Sequence, residues 1–252
     1  MYSWDPEGLR FLDSLADKFR SSVLLTWLHE TISDVWSINM DRYEPATLGD
    51  TPGAFGILSA HNIRQRALKA SRGGQGAWSA DRARASAPDG SLLITAEGVK
   101  IHVLKAPRSG GRTPAWERDF KWDANSSLTR LDAAMRNTRI SPTHRGGFPG
   151  QDSLFEMVAG SNPSMPSAYS DVFLVWSGQE STGLTSGWLG IPVIGPSPWV
   201  AVGESLWQDE AEEGLLSQAS QAQINSADFD ALEEPKPKVR LKTKPSKEVE
   251  LR

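Results

Sequence analysis

Apolar residues recur at Leu9, Leu12, Leu15, Phe19, Val23, Trp27 and Leu28, mostly three or four positions apart. Steps of that size return to one face of a helix. The stripe continues through Ile32, Val35 and Trp36 and stops before Tyr43-Glu44-Pro45, so it predicts one long helix or two with a bend. Asp5-Pro6-Glu7 supplies its start. Asp accepts from free N–H groups of the first turn, Pro is preset for the first helical position, and Glu complements the positive helix end. A second helical segment is predicted over residues 52–71, capped by Asp50 or Thr51 and split by a turn near Gly56. Its later half turns Ile63, Ala67 and Leu68 inward and leaves Arg64, Arg66 and Lys69 outside.

Further along, the period changes. Residues 92–95 and 99–104 read as the arms of a β-hairpin, with Glu97-Gly98 at the two-residue turn. Val99, Ile101 and Val103 alternate with Lys100, His102 and Leu104, which suggests one buried and one largely polar face. Residues 126–137 predict a short helix with Leu128, Leu131, Ala134 and Met135 inward, capped by Asn125 or Ser126. Asp132 and Arg136 stand at pairing distance on it. Residues 139–170, rich in Pro, Gly and Ser, form a long loop with one helical possibility at 153–158. The apolar run Val172-Phe173-Leu174-Val175-Trp176 predicts a strand buried on both faces. Two more strands are expected at 188–194 and 199–202, edged by Pro192, Pro196 and Pro198.

These elements define an α+β fold. N-terminal helices precede a mostly antiparallel sheet of about four to six strands, with one or two further helices. A single domain is expected over residues 1–207, its helical part at 1–75 and its β-containing part at 88–207. Residues 208–252 are expected to form a disordered tail, acidic and then basic.

Charge sharpens this division. Residues 1–145 hold 20 Lys and Arg against 16 Asp and Glu, residues 146–235 hold none against 13, and residues 236–252 hold 7 against 2. Such blocks suggest surfaces of opposite sign. With no cysteine in the chain, disulfides, thiolate metal sites and a Cys nucleophile are excluded. No signal-peptide pattern, lipidation motif or membrane-length apolar run is read, which places the expected location in the cytoplasm.

The candidate chemistry is sparse. His29, His61, His102 and His144 form no metal-binding pair at helical spacing, so no metal and no cofactor is expected. HExxH, GxSxG and Walker loops are absent. Pro88-Asp89, Glu97 and Lys100 resemble the carboxylate-and-lysine set of the restriction-type nucleases. The resemblance implies two acids holding a divalent metal and a Lys supporting the attacking water. In that family the second acid and the Lys stand two apart; here they stand three apart. Ala54 to Ser59, followed by Asn62 to Arg66, resembles a helix-turn-helix, which implies a basic recognition helix. Independently of any motif, Arg64, Arg66, Lys69, Arg72, Arg82 and Arg84 gather around Trp78 with Asp81 as the single acid of residues 61–84. Arginine with an interleaved aromatic suits phosphate contact and stacking. Arg108, Arg112, Arg118 and Lys121 with Trp116 and Trp122 repeat the theme.

The reading that follows is a non-catalytic regulatory or interaction protein of antitoxin-like type. It would bind nucleic acid or an acidic protein partner through Arg64, Arg66, Lys69, Arg72, Trp78, Arg82 and Arg84. A metal-dependent phosphodiesterase using Asp89, Glu97 and Lys100 is one alternative, and a structural or assembly component is another.

Overall fold

A computed structural model describes residues 4–74, 76–107, 113–122, 127–141 and 169–210. The N-terminal stripe folds as two helices, α1 over Pro6–Arg20 and α2 over Val23–Met40. The Asp5 carboxylate accepts from the Gly8 N–H at 2.7 Å and caps the first. The Ser22 hydroxyl accepts from the Leu25 N–H at 3.1 Å, so a fresh cap starts α2 where the apolar phase ran on unbroken. Asp81 accepts the Leu24 N–H at 2.6 Å and reinforces that start from afar.

Helix α3 runs from Pro52 to Gly73, capped by Thr51, with no turn at Gly56. The glycine serves close approach instead. A Cβ there would lie 3.3 Å from Cδ of Lys105. The helix-turn-helix resemblance therefore has no turn to rest on. Helix α4 is one short turn, Ala77–Ala80.

Six strands follow in one sheet: β1 Arg84–Ser86, β2 Leu92–Ala96, β3 Val99–Lys105, β4 Asp171–Gly178, β5 Thr185–Pro192 and β6 Trp199–Gln208. Their spatial order equals their sequence order, and all pairs are antiparallel except β3–β4. A parallel pair cannot be closed by a tight turn. Helix α5, Leu128–Ile140, lies within the connection that joins the two strands. The β2–β3 turn places Glu97 at φ 52° and Gly98 at φ 76°, the left-handed pair that suits a two-residue hairpin. The fold is thus α+β with a mostly antiparallel sheet. Residues Met1–Glu210 form one compact unit.

Strand β4 shows how the layers are organised. Val172, Leu174 and Trp176 join the core under α1, α2 and α3, whereas Phe173 and Val175 join a second core under α5. The second core is aromatic: Trp116, Phe120, Trp122, Phe173, Trp188 and Trp199 meet with ring centroids 4.9–6.0 Å apart. Two of the indoles are anchored at their polar ends. Trp122 Nε1 donates to the Pro198 carbonyl at 2.6 Å, and Trp199 Nε1 donates to the Trp116 carbonyl at 2.9 Å.

Three expectations change here. Leu128 and Met135 do not face inward on α5; they are 61% and 42% exposed. Ala133, Ala134 and Asn137 take the buried face, where two small residues let the helix approach the sheet. The Asn137 amide then donates to the Asp171 and Pro192 carbonyls at 2.9 and 3.1 Å. Arg136 turns to Asp171, with Asp132 acting on it only through its charge. On β3 the face expected to be polar is buried at His102 and Leu104, because α5 and the aromatic layer cover that side. The predicted helix at 153–158, nearly all of the 139–170 loop, and tail residues 211–252 lie outside the described residues. Within those residues, no helix is long and apolar enough to cross a membrane.

Candidate functional site

Helix α3 buries Phe55, Ser59, Ile63 and Ala67. At 100° per residue the opposite side carries His61, Gln65, Lys69 and Arg72, all exposed. At the helix end the Ser71 hydroxyl accepts from the Ala85 N–H of β1 at 2.8 Å. That bond places Arg72 and Arg84 each one residue from a direct contact, although Arg84 projects from the sheet face opposite to Ala85. Arg84 pairs across the sheet with Thr95, and Thr95 with Lys100. All three are exposed, so a row of two cations continues the basic stripe around the short edge strand.

Little opposes this charge. Lys69, Arg72, Arg82 and Arg84 are exposed, and none is ion-paired among the described residues. Asp81, the acid nearest in sequence, is committed to the Leu24 N–H. Arg66 stands 3.7 Å from Asp34, an exposed pair of small energetic consequence.

The other members of the expected set behave differently. Arg64 reaches the Gly90 carbonyl and, at 2.8 Å, His61 Nδ1, bracing α3 against the turn before β2. Trp78 is 2% exposed and stands edge-on to Trp27 at 5.1 Å, so its ring is a core element and offers no stacking face. Trp116 and Trp122 are likewise core. Arg118 is exposed beside Asp119 at 3.3 Å, and Arg108 and Arg112 lie outside the described residues.

The nuclease-like set is not brought together. Asp89 precedes the five-residue strand β2 and Glu97 follows it, a separation of roughly 16 Å at 3.3 Å per residue. The Asp89 carboxylate accepts from the Thr129 hydroxyl at 2.9 Å, while Glu97 and Lys100 are exposed at the far end. Among the described residues no group of three His, Asp or Glu side chains is placed to hold a metal ion.

Two arrangements escaped the sequence reading. The first is a buried ionic tie beneath α5. Asp171 receives Arg136 through two hydrogen bonds of 2.9 and 2.7 Å and holds His102 Nε2 at 3.0 Å. Burial pushes its carboxyl up, but hydrogen bonds from Arg136, His102 and Ser170 outweigh that and hold it well below the ordinary carboxylate range. His102 is 1% and Asp171 0% exposed, so the pair is closed to a substrate and joins α5, β3 and β4 instead. An Asp heading an otherwise apolar strand is the available signal, because a buried charge demands a partner. His102 also lies on the opposite side of the sheet from His61, Arg64 and Arg66, so the four do not share a surface.

The second is a cleft of about 260 Å³ between α2 and α3, lined by Val35, Ile38, Arg42, Asn62, Gln65 and Arg66 over Asn39. It shares Gln65 and Arg66 with the basic helix. Arg42 lies 24 residues before Arg66 in sequence, and no local pattern connects them.

No known protein family matches the chain, and no curated protein or solved structure is significantly similar to it.

Proposed function

We propose that the protein is a non-catalytic regulatory or interaction protein that binds nucleic acid by its backbone phosphates. Lys69, Arg72, Arg82 and Arg84 make the principal contacts, and Lys100 extends them around the β1 edge. One observation carries this reading. Lys69, Arg72, Arg82 and Arg84 lie within three residues of the Ser71–Ala85 contact, are exposed, and make no ion pair among the described residues. Phosphate oxygens take such groups readily, and released counterions supply the affinity. Trp78, being core, contributes nothing to binding.

The test is fluorescence anisotropy of a labelled 20-nucleotide single strand at about 50 mM salt. Lys69→Ala/Arg72→Ala/Arg84→Ala should bind at least about tenfold more weakly than the native chain. Equal affinity of the two proteins would overturn the proposal.

A further inference from the structure

The cleft between α2 and α3 adjoins the basic helix but differs from it in chemistry. Val35, 3% exposed, and Ile38, 40% exposed, give it an apolar side beside a largely polar lining. Arg42 and Arg66 bring two planar guanidinium groups to it. Asn39 beneath is held on both sides: one amide N–H donates to Ser59 Oγ at 3.0 Å, and its carbonyl accepts from Asn62 Nδ2 at 3.2 Å. That second bond fixes the Asn62 amide and leaves its carbonyl oxygen without a partner among the described residues. Gln65, exposed beside it, has a whole amide to offer. The cleft therefore combines apolar contact from Val35 and Ile38, two guanidinium groups and adjacent amide donors and acceptors.

We infer that this cleft receives one unstacked nucleobase of a single strand whose phosphates run along Lys69 and Arg72. The inference rests on the nucleic-acid reading given above and names the part of the ligand that reading leaves out. Each feature matches a part of a base. The ring stacks on a guanidinium plane, its donor and acceptor edge meets Gln65 and Asn62, and its phosphate meets the cations outside. A volume of about 260 Å³ lies below the 300–1,000 Å³ of drug-sized ligand sites, which suits a single ring system. A duplex keeps its bases stacked and paired, so it presents no base to a cleft of this kind.

Arg42→Ala and Gln65→Ala change exposed side chains, and the fold should survive both. Three probes are compared on each protein: a 20-nucleotide single strand, the same sequence as a duplex, and inorganic polyphosphate of similar charge. The native chain should prefer the single strand to polyphosphate by at least about tenfold, the size of one base stacked on protein. Either substitution should remove most of that preference while polyphosphate binding stays within about threefold. If the single strand and polyphosphate bind equally, or if both variants keep the preference, the base cleft is overturned and phosphate binding stands. If no probe binds the native chain, both readings fall together.

Discussion

The two layers that cover the sheet spend their charged residues in opposite ways. On the α5 side, Arg136 and Asp171 turn inward and hold the layer to β3 and β4, under a cluster of six aromatic rings. On the α3 side the interior is aliphatic and aromatic, and Lys69 and Arg72 are exposed and make no ion pair among the described residues. Arg136 meets the buried Asp171 carboxylate at 2.7 Å, whereas Lys69 and Arg72 have no such counterion among the described residues. The buried ion pair and the cations of the proposed binding surface are thus two separate uses of charge.

The largest expected effect comes from breaking the buried tie. Asp171→Ala leaves Arg136 without its counterion and His102 Nε2 without its hydrogen-bond partner, and should cost about 3–5 kcal/mol, read as a fall in the urea midpoint. A loss below about 1 kcal/mol would mean that the tie is not what holds α5. The pH dependence sharpens the same point. The folded carboxyl of Asp171 lies below its unfolded value of about 3.9, so its contribution is present above about pH 4 and is lost as the pH falls further. The stability gap between the native chain and Asp171→Asn should therefore close on acidification below about pH 4. A gap that holds constant down to pH 2 would contradict the account.

Next in size are two glycines, one facing each layer. A Cβ on Gly187 would meet Cη2 of Trp207 at 2.1 Å in the helical-side core, and one on Gly190 would meet Cζ3 of Trp199 at 2.7 Å in the aromatic core. Gly187→Ala and Gly190→Ala should each cost about 1–3 kcal/mol in thermal or urea unfolding. Gly190→Ala should also alter near-ultraviolet circular dichroism more strongly, because Trp199 sits among five other rings. The smallest stability effect belongs to the basic surface. Lys69→Ala, Arg72→Ala and Arg84→Ala should each stay within about 0.5 kcal/mol, since no folded contact is lost.

Particular residues show how much of this the sequence carries. The run Val172 to Trp176 marked β4 as a strand buried on both faces, because continuous apolar residues have no other use there. Asp5 marked one helix start through local chemistry alone, and the Asp50–Pro52 run a second, which Thr51 caps. The α1–α2 break at Ser22 was hidden because the apolar phase crosses it. Helix α5 was misjudged in rotation: its inner face uses Ala133, Ala134 and Asn137, whose role depends on Asp171 and Pro192 far along the chain. The Gly187–Trp207 and Gly190–Trp199 pairings are tertiary facts that no local pattern encodes. For the surface, charge counting singled out Lys69, Arg72 and Arg84, and the structure leaves all three exposed. It could not tell that Trp78 turns inward, nor that Arg42 joins Arg66 across a helix pair.

The proposed binding surface, set apart from the buried ion pair, is tested most directly by salt dependence. The logarithm of the binding constant for the 20-nucleotide single strand is followed against the logarithm of salt concentration, for the native chain and for Lys69→Ala/Arg72→Ala/Arg84→Ala. Each phosphate contact contributes a slope of about −0.7, so the triple variant should lose roughly two units of slope while its urea midpoint is unchanged. Superimposable slopes for the two proteins, or a slope near zero for the native chain, would contradict the account.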